Sequence, residues 1–253
     1  MLNALFTGRG LVATLVVLAG VAVLCRLGLW QLDRHSQRMA QNRLIAERMA
    51  LPPAPLDPAL PPEELDYRRV VLRGVFDPSQ EVLLRNREYQ GATGYHLITP
   101  LRLPGRSGAV LVDRGWVPLG AEDPEQRRRY APPPGEVTVE GVARRSQRYE
   151  GGPEDPPTGP LKPRLDAWFR VDIERIERQT GYPLLPVFVQ QQPGPEPPAE
   201  PPFPARTTDL GLGSHLGYAI QWFAFAAILA VGYVVVTYRR LHAPTHQGRP
   251  AKA

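Results

Sequence analysis

Gly213-Ser-His-Leu-Gly-Tyr-Ala-Ile-Gln-Trp-Phe223 opens a run that stays apolar from Leu216 to Tyr238 and closes on Arg239 and Arg240. A helix of that length crosses the roughly 30 Å of bilayer hydrocarbon. Polar groups are costly at such depth, which makes His215 at the edge and Gln221 inside candidates for function. His215, Tyr218, Trp222 and Phe225 recur at helical intervals and are predicted to share one face. An imidazole above an aromatic stripe suits a flat hydrophobic ligand. Interfacial anchoring is the plainer explanation, since Tyr and Trp favour headgroup depth.

A second apolar run, Leu11 to Leu24, continues through Leu27-Gly-Leu-Trp30 to Leu32. At about 20 residues it is also long enough to span. Arg26 interrupts it near one end, where a long side chain can snorkel to the headgroups. The positive start is thin (Arg9), and Gly20-Val-Ala22 resembles a cleavage site. The apolar region is nonetheless long for a signal peptide and runs into an aromatic-anchored helix, so an uncleaved anchor is expected. Leu24, not a small residue, precedes Cys25, which disfavours a lipoprotein signal.

The chain carries a net charge of +5, and Arg9, Arg239, Arg240, Arg249 and Lys252 account for all of it. The stretch from Arg26 to Asp209 is neutral overall, so no nucleic-acid surface is implied. Positive tails place both termini in the cytoplasm by the positive-inside rule. The signal is firm at the C-terminus and weaker at the N-terminus, because Arg34, Arg38 and Arg43 flank the first span on the other side. The expected division is a cytoplasmic N-terminus at 1–10, a span at 11–32, an extracytoplasmic domain at 33–210, a span at 211–238 and a basic tail at 239–253. With one cysteine in 253 residues there is no intrachain disulfide, CxxC pair or multi-thiolate metal site, so the domain holds itself together by packing.

Gln31 to Met49 is polar, helix-compatible and charged at i,i+4 spacing, so the first helix is expected to extend outward until the prolines from Leu51 to Pro62 stop it. Beyond this the period becomes two. Strands are predicted at 69–76, 81–85, 94–99, 109–114, 137–142 and 185–190, with turns at Asp77-Pro-Ser, Pro104-Gly105 and Pro132–Gly135. One helix is predicted from Val171 to Gln179, ended by Gly181, with Ile173 and Ile176 on a narrow apolar face. Proline-rich stretches at 153–163 and 193–204 are expected to be extended loops, the second a stiff spacer leading to the last span. The fold class is thus a membrane protein whose two terminal transmembrane α-helices flank an extracytoplasmic, mainly-β domain, an antiparallel sheet or barrel with one or two helices.

Catalytic constellations are poor: there is no GxSxG, HExxH, phosphate loop or paired metal-ligand spacing. His96 is expected to be a satisfied structural histidine. His35 is expected to be solvated, as are the scattered carboxylates, and His242 and His246 to have no specific role. In Val110-Leu-Val-Asp-Arg-Gly-Trp-Val-Pro118, a structural corner is favoured, with Trp116 in the core and Arg114 paired to a carboxylate.

Several motifs occur in a characteristic order: Gly28-Leu-Trp-Gln-Leu-Asp-Arg34, Tyr67-Arg-Arg-Val70 with Gly74 and Phe76, Asn86-Arg87, and Gly91-x-x-Gly-Tyr95 before Thr99-Pro100. Leu111-Val-Asp-Arg-Gly-Trp-Val-Pro118 and His215-Leu-Gly-Tyr-Ala-Ile-Gln-Trp222 complete the set. In this order, between two terminal spans, the chain resembles the Surfeit locus protein 1 family from Leu11 to Tyr238. Ser214 stands where many relatives carry asparagine, and Arg38 where a lysine is common. The resemblance implies a non-enzymatic role in assembling haem-copper (cytochrome c) oxidase in the cell membrane, with the catalytic subunit, other assembly factors and membrane lipid as partners. It further implies transient binding of haem a, with the histidine of the second span, here His215, implicated.

Neutral imidazole is a normal axial ligand of haem iron. On that reading His215 binds iron, Tyr218 and Trp222 flank the macrocycle, and Arg26 or Arg34 meets the propionates. The competing expectation, from another class, is a haem-independent scaffold that stabilises oxidase subunits, with Gly213, Gly217, Ala224 and Ala227 as a small-residue face for helix packing. A two-span sensor or secretion component is a third possibility, disfavoured because only short tails are expected in the cytoplasm.

Overall fold

The computed structural model describes residues 8–105, 107–158, 164–196, 198–205, 211 and 213–242. In chain order these form α1 (Gly8–Ala50), β1 (Ala54–Pro55), α2 (Pro62–Leu65), β2 (Arg69–Phe76), β3 (Val82–Tyr89), β4 (Ala92–Arg102) and β5 (Ala109–Pro118). There follow α3 (Pro124–Arg127), β6 (Glu136–Arg145), β7 (Ala167–Trp168), α4 (Ile173–Thr180), β8 (Leu184–Gln191) and α5 (His215–His242). Two helices, α1 and α5, are long and apolar enough to cross a membrane. As expected from its charge spacing, α1 runs far past the apolar segment and stops before Leu51-Pro52-Pro53, where proline disfavours helical geometry in the residue before it. The chain divides into two compact units: α5 with α1 as far as Arg43, and residues 44–209.

The second unit is built on one sheet in the order β1-β2-β6-β8-β5-β4-β3-β7, with an added β2–β4 pairing that joins Val75 to Arg102 and Phe76 to Leu101. That pairing closes β2, β6, β8, β5 and β4 on themselves as a small barrel, a solution that removes sheet edges. All six predicted strands are present. Strand β3 outlasts its prediction because Arg85, Arg87 and Glu88 break the apolar pattern, whereas ladder bonds to β4 carry it on to Tyr89. Gln90 and Gly91, both at positive φ (49° and 82°), make the two-residue turn of this hairpin. Most pairings are antiparallel as expected. To these the structure adds parallel pairings of β1 with β2, β3 with β7 and, centrally, β5 with β8.

The parallel β5–β8 pair has a structural consequence: β5 is covered on both faces and buried from Ala109 to Val117. Val110 and Val112 join Leu72, Leu101, Val139, Val187 and Val189 in one core, while Leu111 and Phe188 point the other way, towards Trp168, Ile173 and Ile176. This second core lies under α4, the helix predicted at 171–179. Asp172 caps α4 by accepting from Arg175 N at 3.1 Å, and Gly181, at φ 73°, ends it. The proline-rich stretches form no strand or helix in their described residues; 159–163 and 197 lie outside these, as do 206–210, His246, Arg249 and Lys252.

Candidate functional site

Along α1, Thr14, Val17, Val21, Leu24, Gly28, Gln31 and His35 follow steps of three and four residues, and each is buried or half-buried. Along α5, the same steps pick out His215, Ala219, Trp222, Ala226, Leu229 and Tyr233. This is the spacing of two helices that meet along a seam. The contacts run antiparallel. Thr14 Oγ1 and Tyr233 Oη share a hydrogen bond at 2.5 Å, a Cβ at Gly20 would meet Leu229 at 3.1 Å, and one at Gly28 would strike the Phe223 ring. Farther along, Gln31 meets His215, and Arg38 Nε donates to the Gly211 carbonyl at 3.3 Å.

His215 is the first residue of α5, and Nδ1 of its ring lies 2.9 Å from Oε1 of Gln31. The carbonyl oxygen accepts, so Nδ1 donates, and in the neutral ring Nε2 then bears the lone pair. Gly213 stands beside that lone pair at φ 65°, and a Cβ there would sit 3.4 Å from Cδ2 and 3.6 Å from Nε2 of the imidazole. These are ordinary contact distances, so Gly213 lies against this edge of the ring. Chemically this is an oriented imidazole at the end of an apolar helix pair.

The face predicted from periodicity divides on packing. His215 and Trp222 turn into the seam, whereas Tyr218 and Phe225 are 50% and 47% exposed. Trp222 still meets Phe225 edge-on, with centroids 6.2 Å apart. Arg26 is exposed, five residues and so about 140° around α1 from Gln31. Arg34 is exposed too, with its guanidinium 5.8 Å from the Trp30 ring and donating to Gln37 Oε1 at 3.1 Å. The structure thus brings His215, Gln31 and Trp222 to one seam and leaves both arginines outside it.

Gln221, singled out for its depth, is exposed on α5, and the polar residue at the seam is Gln31. Its signal in the sequence was the step of three from Gly28 and of four to His35. His35 corrects an expectation. It was expected to be solvated, but its place in the seam buries Nδ1, which has no hydrogen-bond partner. The small-residue row Gly213, Gly217, Ala224 and Ala227 is exposed, whereas Ala219 and Ala226 are the buried small residues of α5. His242 stacks on Tyr238 within its own helix.

In the β domain the conspicuous polar residues hold structure. His96 Nδ1 bonds Asp113 Oδ2 at 3.0 Å, both buried, and Asp113 Oδ1 accepts from Gly115 N. Arg114 donates to Glu81 at 3.0 Å and to the Tyr130 carbonyl, while Thr99 donates to Glu81 at 2.6 Å. Burial pushes the Glu81 carboxyl above its ordinary pKa and the Arg114 guanidinium below its own, although each opposes the other's shift. Buried Glu81, Asp113, Asp66 and Asp155 depart from the expected solvated face for carboxylates. Trp116 is 7% exposed, donates to the Arg87 carbonyl and lies parallel to Phe203, the corner its sequence predicts. Among the described residues no group of three or more His, Cys, Asp or Glu is placed to hold a metal. An open groove of about 680 Å³ between Arg69, Glu140, Gln191 and Gln192 carries one charge of each sign, already paired at 2.6 Å.

Residues 18–227 match the SURF1 family profile, a stretch that includes Gly28, Gln31, His215 and Trp222. The Surfeit locus protein 1 of Mus musculus is 30% identical over 221 residues, covering 79% of this chain and 68% of its own. A SURF1-like protein of Monosiga brevicollis is 28% identical over 223 residues, covering 82% of this chain and 81% of its own. An uncharacterised SURF1-like protein of Mycobacterium tuberculosis is 25% identical over 245 residues, 92% of this chain and 86% of its own.

Proposed function

The chain belongs to the SURF1 family, and from that premise we propose that it is an assembly factor for haem-copper (cytochrome c) oxidase that holds haem a at His215 before the catalytic subunit receives it. The observation that carries this reading is the Gln31–His215 bond at 2.9 Å, which engages Nδ1 and leaves Nε2 as the nitrogen that meets iron. Haem iron takes such a nitrogen as an axial ligand. The half-buried Trp222, two turns along α5, supplies an apolar flank beside the seam. Haem is cargo here. One neutral ligand at the end of a helix pair suits an exchangeable complex, which a delivery protein needs. The protein's own chemistry is to bind, orient and release, and it catalyses no bond change.

In the proposed topology both termini are cytoplasmic, 11–32 and 211–238 span the cell membrane, and the β domain between them faces outward to meet oxidase subunits and other assembly factors. The charge distribution supports this orientation. Titrating the purified full chain and His215→Ala with haem, read by absorption, tests the ligand. Weaker binding and a changed spectrum in the variant are expected; unchanged affinity and spectrum would sink the assignment.

A haem-independent scaffold draws support from the exposed row Gly217, Ala224 and Ala227, since small residues let a partner helix approach closely. It expects no haem to co-purify from cells that make haem a, and oxidase assembly to survive His215→Ala.

A further inference from the structure

We propose that Gln31 is a positioning residue for the ligand: it decides which nitrogen of His215 bears the lone pair. The inference rests on the reading of His215 as the haem ligand and adds the part played by the opposite helix.

A neutral imidazole holds its proton on either nitrogen, and the hydrogen bond made by one nitrogen selects the tautomer of the other. Nδ1 of His215 lies 2.9 Å from Oε1 of Gln31, 184 positions away in sequence. Donation to that oxygen holds the proton on Nδ1 and frees Nε2. Nε2 is then the nitrogen available to a ligand. With Oε1 of Gln31 turned towards the ring, the opposite tautomer would set two lone pairs, Nδ1 and Oε1, against each other in a poorly screened setting, which is unfavourable. Histidines that bind metals routinely donate their second N–H to a carbonyl or carboxylate, which fixes the ring and raises its basicity. The acceptor here is a neutral amide. It polarises the imidazole less than a carboxylate does, as befits a ligand that must let go.

The helix pair is held by other contacts besides the imidazole. Phe223 packs against Gly28 one turn away, and Thr14 and Tyr233 tie the far end of the seam. Removal of the amide therefore leaves the helix pair formed and the ring free to change tautomer.

The experiment uses the full chain in detergent with ¹⁵N-imidazole histidine, read by NMR without ligand, then titrated with hemin. Wild type should show His215 protonated at Nδ1. Gln31→Met, similar in length but without an equivalent acceptor, should move protonation towards Nε2 and weaken hemin binding roughly three- to twentyfold, the worth of one interhelical hydrogen bond. Gln31→Glu, which restores an acceptor oxygen and cannot donate when ionised, should restore the tautomer and bind hemin at least as tightly as wild type. An unchanged tautomer or unchanged hemin affinity in Gln31→Met overturns the role of Gln31. His215→Ala separates the two levels: if it binds hemin as wild type does, the ligand reading itself falls, whatever Gln31 does.

Discussion

The ring of Phe223 on α5 occupies the space that any side chain at Gly28 of α1 would need, since a Cβ there would stand 2.7 Å from its Cζ. The contact lies one turn from Gln31 and so sets how closely the helices approach where His215 meets its partner.

Gly28→Ala should therefore destabilise the helix pair by about 1–3 kcal/mol, the usual cost of overpacking. Phe223→Leu, introduced with it, should recover most of the loss. A double-mutant cycle by thermal unfolding in detergent measures the coupling, and an Ala penalty untouched by Phe223→Leu would mean the ring is not the obstacle.

At the other end of the seam, the hydrogen bond between Thr14 and Tyr233 is a second interhelical tie. Such bonds in membranes average about 0.6 kcal/mol and reach about 1.7. Tyr233→Phe and Thr14→Val should each cost an amount in that range and, combined, little more than either alone. Strictly additive losses would show the two side chains are not coupled.

The Glu81 carboxyl gives the β domain a signed pH dependence. Burial is the largest influence on it and outweighs the Thr99 hydrogen bond and the Arg114 charge, holding its pKa above 4.5. A carboxyl raised in the folded state is harder to ionise folded than unfolded. Its contribution to stability is full below the unfolded value near 4.5 and is lost as pH rises through the folded value. Glu81→Gln, close in shape but without a titrating proton, should accordingly gain on wild type as pH increases from 4.5. Urea midpoints of both proteins across pH check this, and parallel profiles would contradict it.

Trp168 is fully buried between β3 and α4, with its indole N–H donating to the Leu165 carbonyl at 2.7 Å. Trp168→Ala should cost about 3–5 kcal/mol of domain stability, from lost burial and the cavity left behind. A shift under 1 kcal/mol in chemical denaturation would show that the site collapses to fill the space.

Much of this was legible in the residues because the signals are local. Proline stops α1 and period two marks the six long strands. The corner at Arg114-Gly115-Trp116 was anticipated from its residue types. Less visible were short elements such as α2 and β7, which have too few residues to set a period. The parallel β5–β8 pairing was hidden as well, because it joins strands separated by β6, β7 and α4.

The candidate site marks the same boundary. The sequence by itself determined that a histidine stands at the mouth of an apolar helix, since composition and length decide what can enter a bilayer. A period of 3.6 residues, however, admits two overlapping faces through His215 and Trp222: one with Tyr218 and Phe225, the other with Ala219 and Ala226. Only the tertiary structure chose the second, because the small residues let α1 approach and the aromatic ones do not. It also decided the state of the imidazole, since the oxygen that fixes the proton belongs to Gln31, on the other helix.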